Sequence, residues 1–198
     1  SPLDRSSAAS DVYKRQLPDG TQQRIMVSAG HCLVAEDVSG MLMGRNVDAP
    51  VRGGYKKLGS IDLVHTNGLP SGYETLGEST QKALRAEDWG IVVLDDGAGA
   101  DGSASSRGQF NRGPSAPVTL TGVRTYRTLA PGEIALDNFA QPVCKDGSTK
   151  GRTCGVQLFY TANNVWSLNL GYATGDSGGV NFDPNTCLLY TSPSPRDS

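Results

Sequence analysis

The segment Gly175-Asp176-Ser177-Gly178-Gly179 sets a hydroxyl among glycines, with a carboxylate directly before it. A serine on such a turn can present its oxygen to a substrate while neighbouring backbone N–H groups bind a developing oxyanion, because glycine alone takes positive φ without steric cost. The same residue types also favour plain surface turns, so the segment gains meaning only with a base and an orienting acid. The 198-residue chain has two histidines, His31 and His65. His31 follows Ser28-Ala29-Gly30, small residues that let a turn hold the imidazole against neighbouring strands; a structural histidine is the alternative. His65, in Val64-His65-Thr66-Asn67-Gly68, is read as a surface residue where a strand runs into a glycine turn. Asp88 opens Asp88-Trp89-Gly90-Ile91-Val92-Val93-Leu94, an acid at the mouth of an apolar run that marks a well-buried strand. Partly desolvated, it needs a partner to stay charged; a strand-initiating surface Asp is the alternative. His31, Asp88 and Ser177 are thus candidates for base, orienting acid and nucleophile.

The elements that must position them are short and β-like. The chain holds 25 glycines, well above the roughly 7% average share, and helical periodicity is scarce. Arg24 to Val27 is a β-type run, and Met41 to Leu84 alternates short β-like runs with Gly, Pro and Asn, with a helical turn over Glu78 to Leu84. Asp95 to Pro117 is too small and polar to build a core and is read as a linker. Beyond it, Val118 to Val123, Glu133 to Leu136, Gly155 to Tyr160 and Val165 to Leu170 regain strand character. Short strands on both sides of a linker predict two β-barrel or sandwich units rather than alternating βαβ.

The two ends of the chain are related to each other. Asp11-Val12-Tyr13-Lys14-Arg15-Gln16 can be encoded by DNA whose reverse complement, in another frame, encodes Cys187-Leu188-Leu189-Tyr190-Thr191. Ordinary disordered tails would not be complementary, and the pair resembles a transposase-type sequencing adapter lying in opposite orientations. The expected organisation is therefore an adapter-like artefact at 1–16, a first β unit at 17–100 that is incomplete at its N-terminus and carries His31 and Asp88, a linker at 101–117, a truncated second unit at 118–186 with Ser177, and a second adapter-like artefact at 187–198.

Composition excludes several classes of partner. The formal net charge of −2 leaves no basic face for nucleic acid, and no apolar run is long enough to span a membrane as a helix. Outside the flanks the cysteines are Cys32, Cys144 and Cys154. Cys144 and Cys154 bound a polar, glycine-bearing hairpin tip from Lys145 to Thr153; two free buried thiols are the alternative to a disulfide there. A bridge closing so short a ring stabilises by about 2–3 kcal/mol and points to an oxidising compartment. Cys32 is then odd, with a partner expected in missing sequence. Adjacent His31 and Cys32, with no Cys-x-x-Cys or His-x-x-x-His spacing, argue against zinc.

The chain order His31, Asp88, Ser177 matches the chymotrypsin arrangement and not the α/β-hydrolase or subtilisin orders. Ser28-Ala29-Gly30-His31-Cys32, Asp88 to Leu94 and Gly175 to Gly179 resemble the three active-site blocks of the chymotrypsin-like (trypsin-like) serine peptidases. The hairpin Cys144 to Gly155 resembles the corresponding bridge of the secreted bacterial branch, the streptogrisin and α-lytic type. The resemblance implies an all-β fold of two antiparallel six-stranded-type barrels with the site at their interface. It also implies serine endopeptidase activity on polypeptide substrates, sensitivity to protein inhibitors, no metal or organic cofactor, no nucleic-acid or membrane partner, and a secreted monomer. It assigns Ser177 to attack, His31 to proton transfer, Asp88 to orienting the imidazole, the Gly175 and Ser177 N–H groups to the oxyanion hole, and Asp176 to a loop-stiffening pair with an unidentified cation.

The departures are specific. In the family, Cys32 has a partner before the histidine block, and Leu17 to Gly30 contains no cysteine. Family members continue well past the nucleophile, so activity is expected of the complete parent and not of the chain as written. Gly171, near the segment expected to line the specificity pocket, has no acid beside it, which argues against preference for Lys or Arg. A non-catalytic binding module and an esterase of another fold are the rival readings. The intact set of three residues argues against the first, and their order against the second.

Overall fold

A computed structural model describes residues 11–33, 46–51, 53–98, 103–104, 116–169, 171–173 and 175–190. The first half runs β1 (Asp11–Gln16), β2 (Gln22–Ser28), a 3-10 turn (Gly30–Cys32), β3 (Asn46–Val51), β4 (Gly54–Asn67), α1 (Leu76–Arg85) and β5 (Glu87–Leu94). These strands make one antiparallel sheet in the order β1-β2-β5-β4-β3. The apolar run of β5 buries Gly90, Val92 and Leu94 in alternation, with Ile91 and Val93 half-buried on the other face, the period of a pleated strand. Val92 and Leu94 pack with Met26, Leu33, Ile61 and Ala98 into the core under this sheet.

The second half runs β6 (Ser103–Ala104), β7 (Val118–Thr119), β8 (Gly122–Val123), β9 (Pro142–Gly147), β10 (Gly151–Tyr160), β11 (Val165–Leu168), β12 (Val180–Phe182) and β13 (Leu188–Leu189). Six of them form a sheet in the order β11-β10-β9-β12-β13-β8, while β6 and β7 pair separately. Ala104, Cys144, Val180, Phe182 and Leu189 form its core. The fold is all-β with a five-stranded and a six-stranded sheet, and among the described residues neither strand order closes on itself.

Several expectations change. The helix is longer than the predicted turn because Thr75 and Glu78 form a capping box: the Thr75 N–H donates to Glu78 Oε2 at 2.9 Å, and the Glu78 N–H to Thr75 Oγ1 at 3.4 Å. Such reciprocal bonds satisfy N–H groups left over at a helix start. The run Glu133 to Leu136 contributes only a single bridge, Ala135 to Tyr160. The stretch read as a linker supplies Ala104, fully buried, to the second core. Within the flanks set aside above, Asp11–Gln16 pairs along β2, and Leu189 and Tyr190 are buried. The polar hairpin is interior along its strands, where Lys145, Asp146 and Thr153 are at most 3% exposed, and open at its turn, where Thr149 is exposed.

Candidate functional site

The turn that carries His31 is placed by close backbone approach. Strand β2 ends at Ser28, opposite Gly90 of β5, while β4 sets Thr66 opposite Asp88. A Cβ at Gly30 would run into the His65 and Trp89 carbonyls and Thr66 Cγ2, so only glycine lets the turn lie flat on these strands. His31 consequently faces Asp88. Its backbone N–H donates to Asp88 Oδ1 at 2.8 Å, and Nδ1 meets Asp88 Oδ2 at 2.5 Å. An ionised carboxylate only accepts, so this geometry places the ring proton on Nδ1 and leaves Nε2 as an acceptor. The His31 side chain is 47% exposed against 23% for Asp88, so the imidazole remains reachable while the carboxylate is covered. His65 is not a plain surface residue: half-buried in β4, it stacks on Trp89 with ring centroids 4.4 Å apart.

The Ser177 loop belongs to the second half and is held from beneath. Gly175 and Gly178 have φ of 94° and 76°, where a side chain would be strained. Between them Asp176 turns inward and is 1% exposed. Asp176 Oδ2 accepts from Lys145 Nζ at 2.6 Å and from the Ala173 N–H at 3.1 Å, and Oδ1 from the Thr149 and Lys150 N–H groups at 2.8 and 3.0 Å. Burial alone would push this carboxyl up; the Lys145 ammonium and the two hairpin N–H groups outweigh it and hold it below the usual Asp value. Ser148 Oγ adds a bond of 2.5 Å to the Gly175 carbonyl. Cys144 and Cys154 are joined by a disulfide across β9 and β10, so the hairpin that supplies Lys145 is itself tied.

This loop meets the histidine turn across the two sheets. A Cβ on Gly178 would lie 2.5 Å from Ser28 Oγ and 3.7 Å from Cys32 Sγ, and Cys32 Sγ donates to the Ser177 carbonyl at 3.5 Å. His31 and Asp88 are therefore in direct contact, while Ser177 reaches their turn through its own backbone and that of Gly178. The Gly175 and Ser177 N–H groups have no acceptor among the described residues. A second tie between the halves comes from Asn164, whose Nδ2 donates to the Ala83 and Ala86 carbonyls at 3.2 and 3.0 Å, and from Thr161 Oγ1, which donates to the Leu84 carbonyl at 3.2 Å. These bonds satisfy carbonyls at the end of α1 that have no helical partner, just before β5 begins with Asp88 in its first turn of chain.

Two residues were missed from sequence. Lys145 is the cation of Asp176, and its Nζ also lies 5.4 Å from the centroid of the Tyr172 ring. Burial raises the Tyr172 phenol above its ordinary value, and Asp176, Cys32 and Asp88 add to the rise. The residue as a whole is 60% exposed. Only the general need of Asp176 for a cation was visible beforehand, and nothing singled out Tyr172. Among the described residues no group of three or more His, Cys, Asp or Glu side chains is arranged to hold a metal ion, and no helix is long and apolar enough to cross a membrane.

No protein-family model and no curated protein matches the chain. Solved structures do. Thermobifida fusca Protease A matches with a TM-score of 0.51 at 18% identity, over 95% of this chain and 75% of its own. Nocardiopsis Protease matches with a TM-score of 0.51 at 18% identity, over 96% of this chain and 78% of its own. At that identity the likeness is one of fold: the chain has the fold of bacterial chymotrypsin-like serine proteases.

Proposed function

We propose that the parent protein of this chain is a secreted serine endopeptidase that cleaves polypeptides through an acyl-enzyme, with Ser177 as nucleophile, His31 as general base and acid, and Asp88 as the orienting acid. The observation that carries this reading is the two-point contact of His31 with Asp88, made where the Ser177 loop docks on the same turn. Asp88 holds Nδ1 protonated, which leaves Nε2 to take the Ser177 proton as Oγ attacks the carbonyl carbon. The carbonyl oxygen then becomes an oxyanion received by the Gly175 and Ser177 N–H groups, where one such donor is worth about 2.7–4 kcal/mol in the transition state. Collapse of the tetrahedral adduct expels the amine, which takes the proton from Nε2, and water repeats the sequence on the ester.

The disulfide supports secretion, since such bonds persist in oxidising compartments. The test is covalent labelling of the purified full-length parent by a fluorophosphonate, with the adduct mapped by mass spectrometry. Labelling of Ser177, abolished in Ser177→Ala and reduced at least a thousandfold in His31→Ala, is expected. Absence of an adduct on the folded parent overturns the assignment and favours a binding module. Turnover of simple esters with none of peptides favours an esterase.

A further inference from the structure

We infer that the turn at 161–164 is a latch that sets the angle between the two halves of the molecule, and through it the approach of His31 to Ser177. Thr161, Asn163 and Asn164 are positioning residues in this account, which rests on the peptidase reading above. Among the described residues no strand of one half pairs with a strand of the other, so the sheets themselves do not fix that angle. The contact at the site is slight: Cys32 Sγ donates to the Ser177 carbonyl at 3.5 Å, and Gly178 lies close on Ser28. One point of contact leaves a hinge, and a second point removes it.

That second point lies at the end of α1. The helix buries no residue fully, so side-chain packing does not seat it, and the last carbonyls of a helix have no partner within it. Here four consecutive carbonyls are taken up by the other half. Asn164 Nδ2 donates to those of Ala83 and Ala86 at 3.2 and 3.0 Å, Thr161 Oγ1 to that of Leu84 at 3.2 Å, and Asn163 Nδ2 to that of Arg85 at 3.2 Å. Asp88 follows Ala86 by two positions.

The donors are themselves aimed. The Thr161 N–H donates to the Asn164 carbonyl at 2.8 Å, and the Asn164 N–H returns a bond of 3.1 Å to Thr161 Oγ1, which engages that oxygen as an acceptor and leaves its proton for Leu84. Thr161 is 3% exposed, and the flanking Tyr160, Ala162 and Val165 belong to the cluster built on Leu129 and Ala135. The turn is thus rooted in the half that carries Ser177, while α1 leads directly into the strand of Asp88. The bond between His31 and Asp88 lies wholly within the first half, so what the latch governs is the approach of His31 Nε2 to Ser177 Oγ. A misplacement of about 1 Å at reacting atoms costs on the order of a hundredfold in rate.

The test is made on the full-length parent. The fluorophosphonate labelling rate of folded protein is followed against pH, and the far-downfield proton resonance of His31 Nδ1 reports on its bond to Asp88. Asn164→Leu keeps the side-chain volume and removes both donated bonds. It is expected to lower the plateau labelling rate at least about tenfold, with the pH midpoint and the downfield resonance as in the native protein. Thr161→Val is expected to do the same, and Thr161→Ser, which keeps the hydroxyl, to label at the native rate. Where these variants do not fold, Asn163→Ala, which gives up one bond at the exposed edge, is read in their place and is expected to show a smaller drop of the same kind. A native plateau rate in the folded variant, whatever its Tm, overturns the inference, because the bonds then serve stability alone. So does loss of the resonance or a moved midpoint, which places the effect on Asp88 and not between the halves. Either result leaves the peptidase reading intact, whereas failure of the native parent to label at Ser177 overturns both.

Discussion

Replacing Lys145 with methionine removes the charge beneath the Ser177 loop while keeping most of the side-chain volume. The two side chains of the Lys145–Asp176 pair are 2% and 0% exposed, so deleting the ammonium leaves a buried carboxylate without a counter-ion. Breaking a buried pair by removing one partner costs about 3–5 kcal/mol. Asp176 retains three backbone donors, from Thr149, Lys150 and Ala173, which places Lys145→Met near the lower end, at about 3 kcal/mol. With a urea slope of about 2 kcal/mol per molar for a domain of this size, the midpoint should fall by about 1.5 M, read from tryptophan fluorescence at pH 7.

The pH dependence follows from the sign of the Asp176 shift. Its folded pKa lies below the ordinary 3.8, so its contribution is complete above that value and is lost as pH falls through the folded pKa. Lys145→Met raises the folded pKa by removing the cation, so the gap between native and variant midpoints should narrow as pH is lowered toward 3. Lys82→Met, which breaks an ion pair whose lysine is 48% exposed, serves as the control and should leave the midpoint nearly unchanged. A Lys145→Met shift below about 0.5 M, or a gap as wide at pH 3 as at pH 7, would refute the reasoning.

Two further outcomes follow from the packing. Replacing Cys144 and Cys154 together with serine opens a ring of sequence separation 10 and should cost about 2–3 kcal/mol, read as a fall in Tm that reducing agent reproduces in the native chain and does not add to in the variant. Gly30→Ala forces a Cβ against the His65 and Trp89 carbonyls, the latter at 2.8 Å; because backbone cannot step aside as a side chain can, the His31 turn must lift from Asp88. Overpacking of this kind costs about 1–3 kcal/mol, and fluorophosphonate labelling should slow by at least tenfold. Retention of the native labelling rate would show that the turn does not need the close approach.

The three blocks were legible because each is local. A glycine turn, a small-residue approach to histidine and an acid heading an apolar strand are patterns of adjacent residues, and their order along the chain does the rest. Helix α1 was underestimated because its start depends on the reciprocal bonds of Thr75 and Glu78, a spacing of three that the search for apolar periodicity passes over. Ala104 was lost in a run of small polar residues because its burial comes from pairing with Val118, and the partner lies outside that run.

The hairpin Cys144 to Cys154 separates what could be read from what could not. Opposing the two cysteines in an antiparallel register also opposes Lys145 to Thr153, Asp146 to Arg152 and Gly147 to Gly151. The disulfide expectation therefore already contained the Asp146–Arg152 pair, which the structure forms with bonds of 2.7 Å from Nε and Nη2. Asp and Lys are almost never fully buried unless paired, and the pairing was not worked out from the register. Lys145 is different: its partner Asp176 is 31 positions away, and Arg124, Lys150 and Arg152 were equally available on paper. Register decides between them. Arg152 pairs with Asp146 and Arg124 with Asp183, while Lys145 Nζ pairs with Asp176 under the Ser177 loop. The buried carboxylate of Asp176 selects its cation through the sheet and not through the sequence neighbourhood, which is why Lys145→Met tests the fold's hold on the site more directly than any substitution inside the loop.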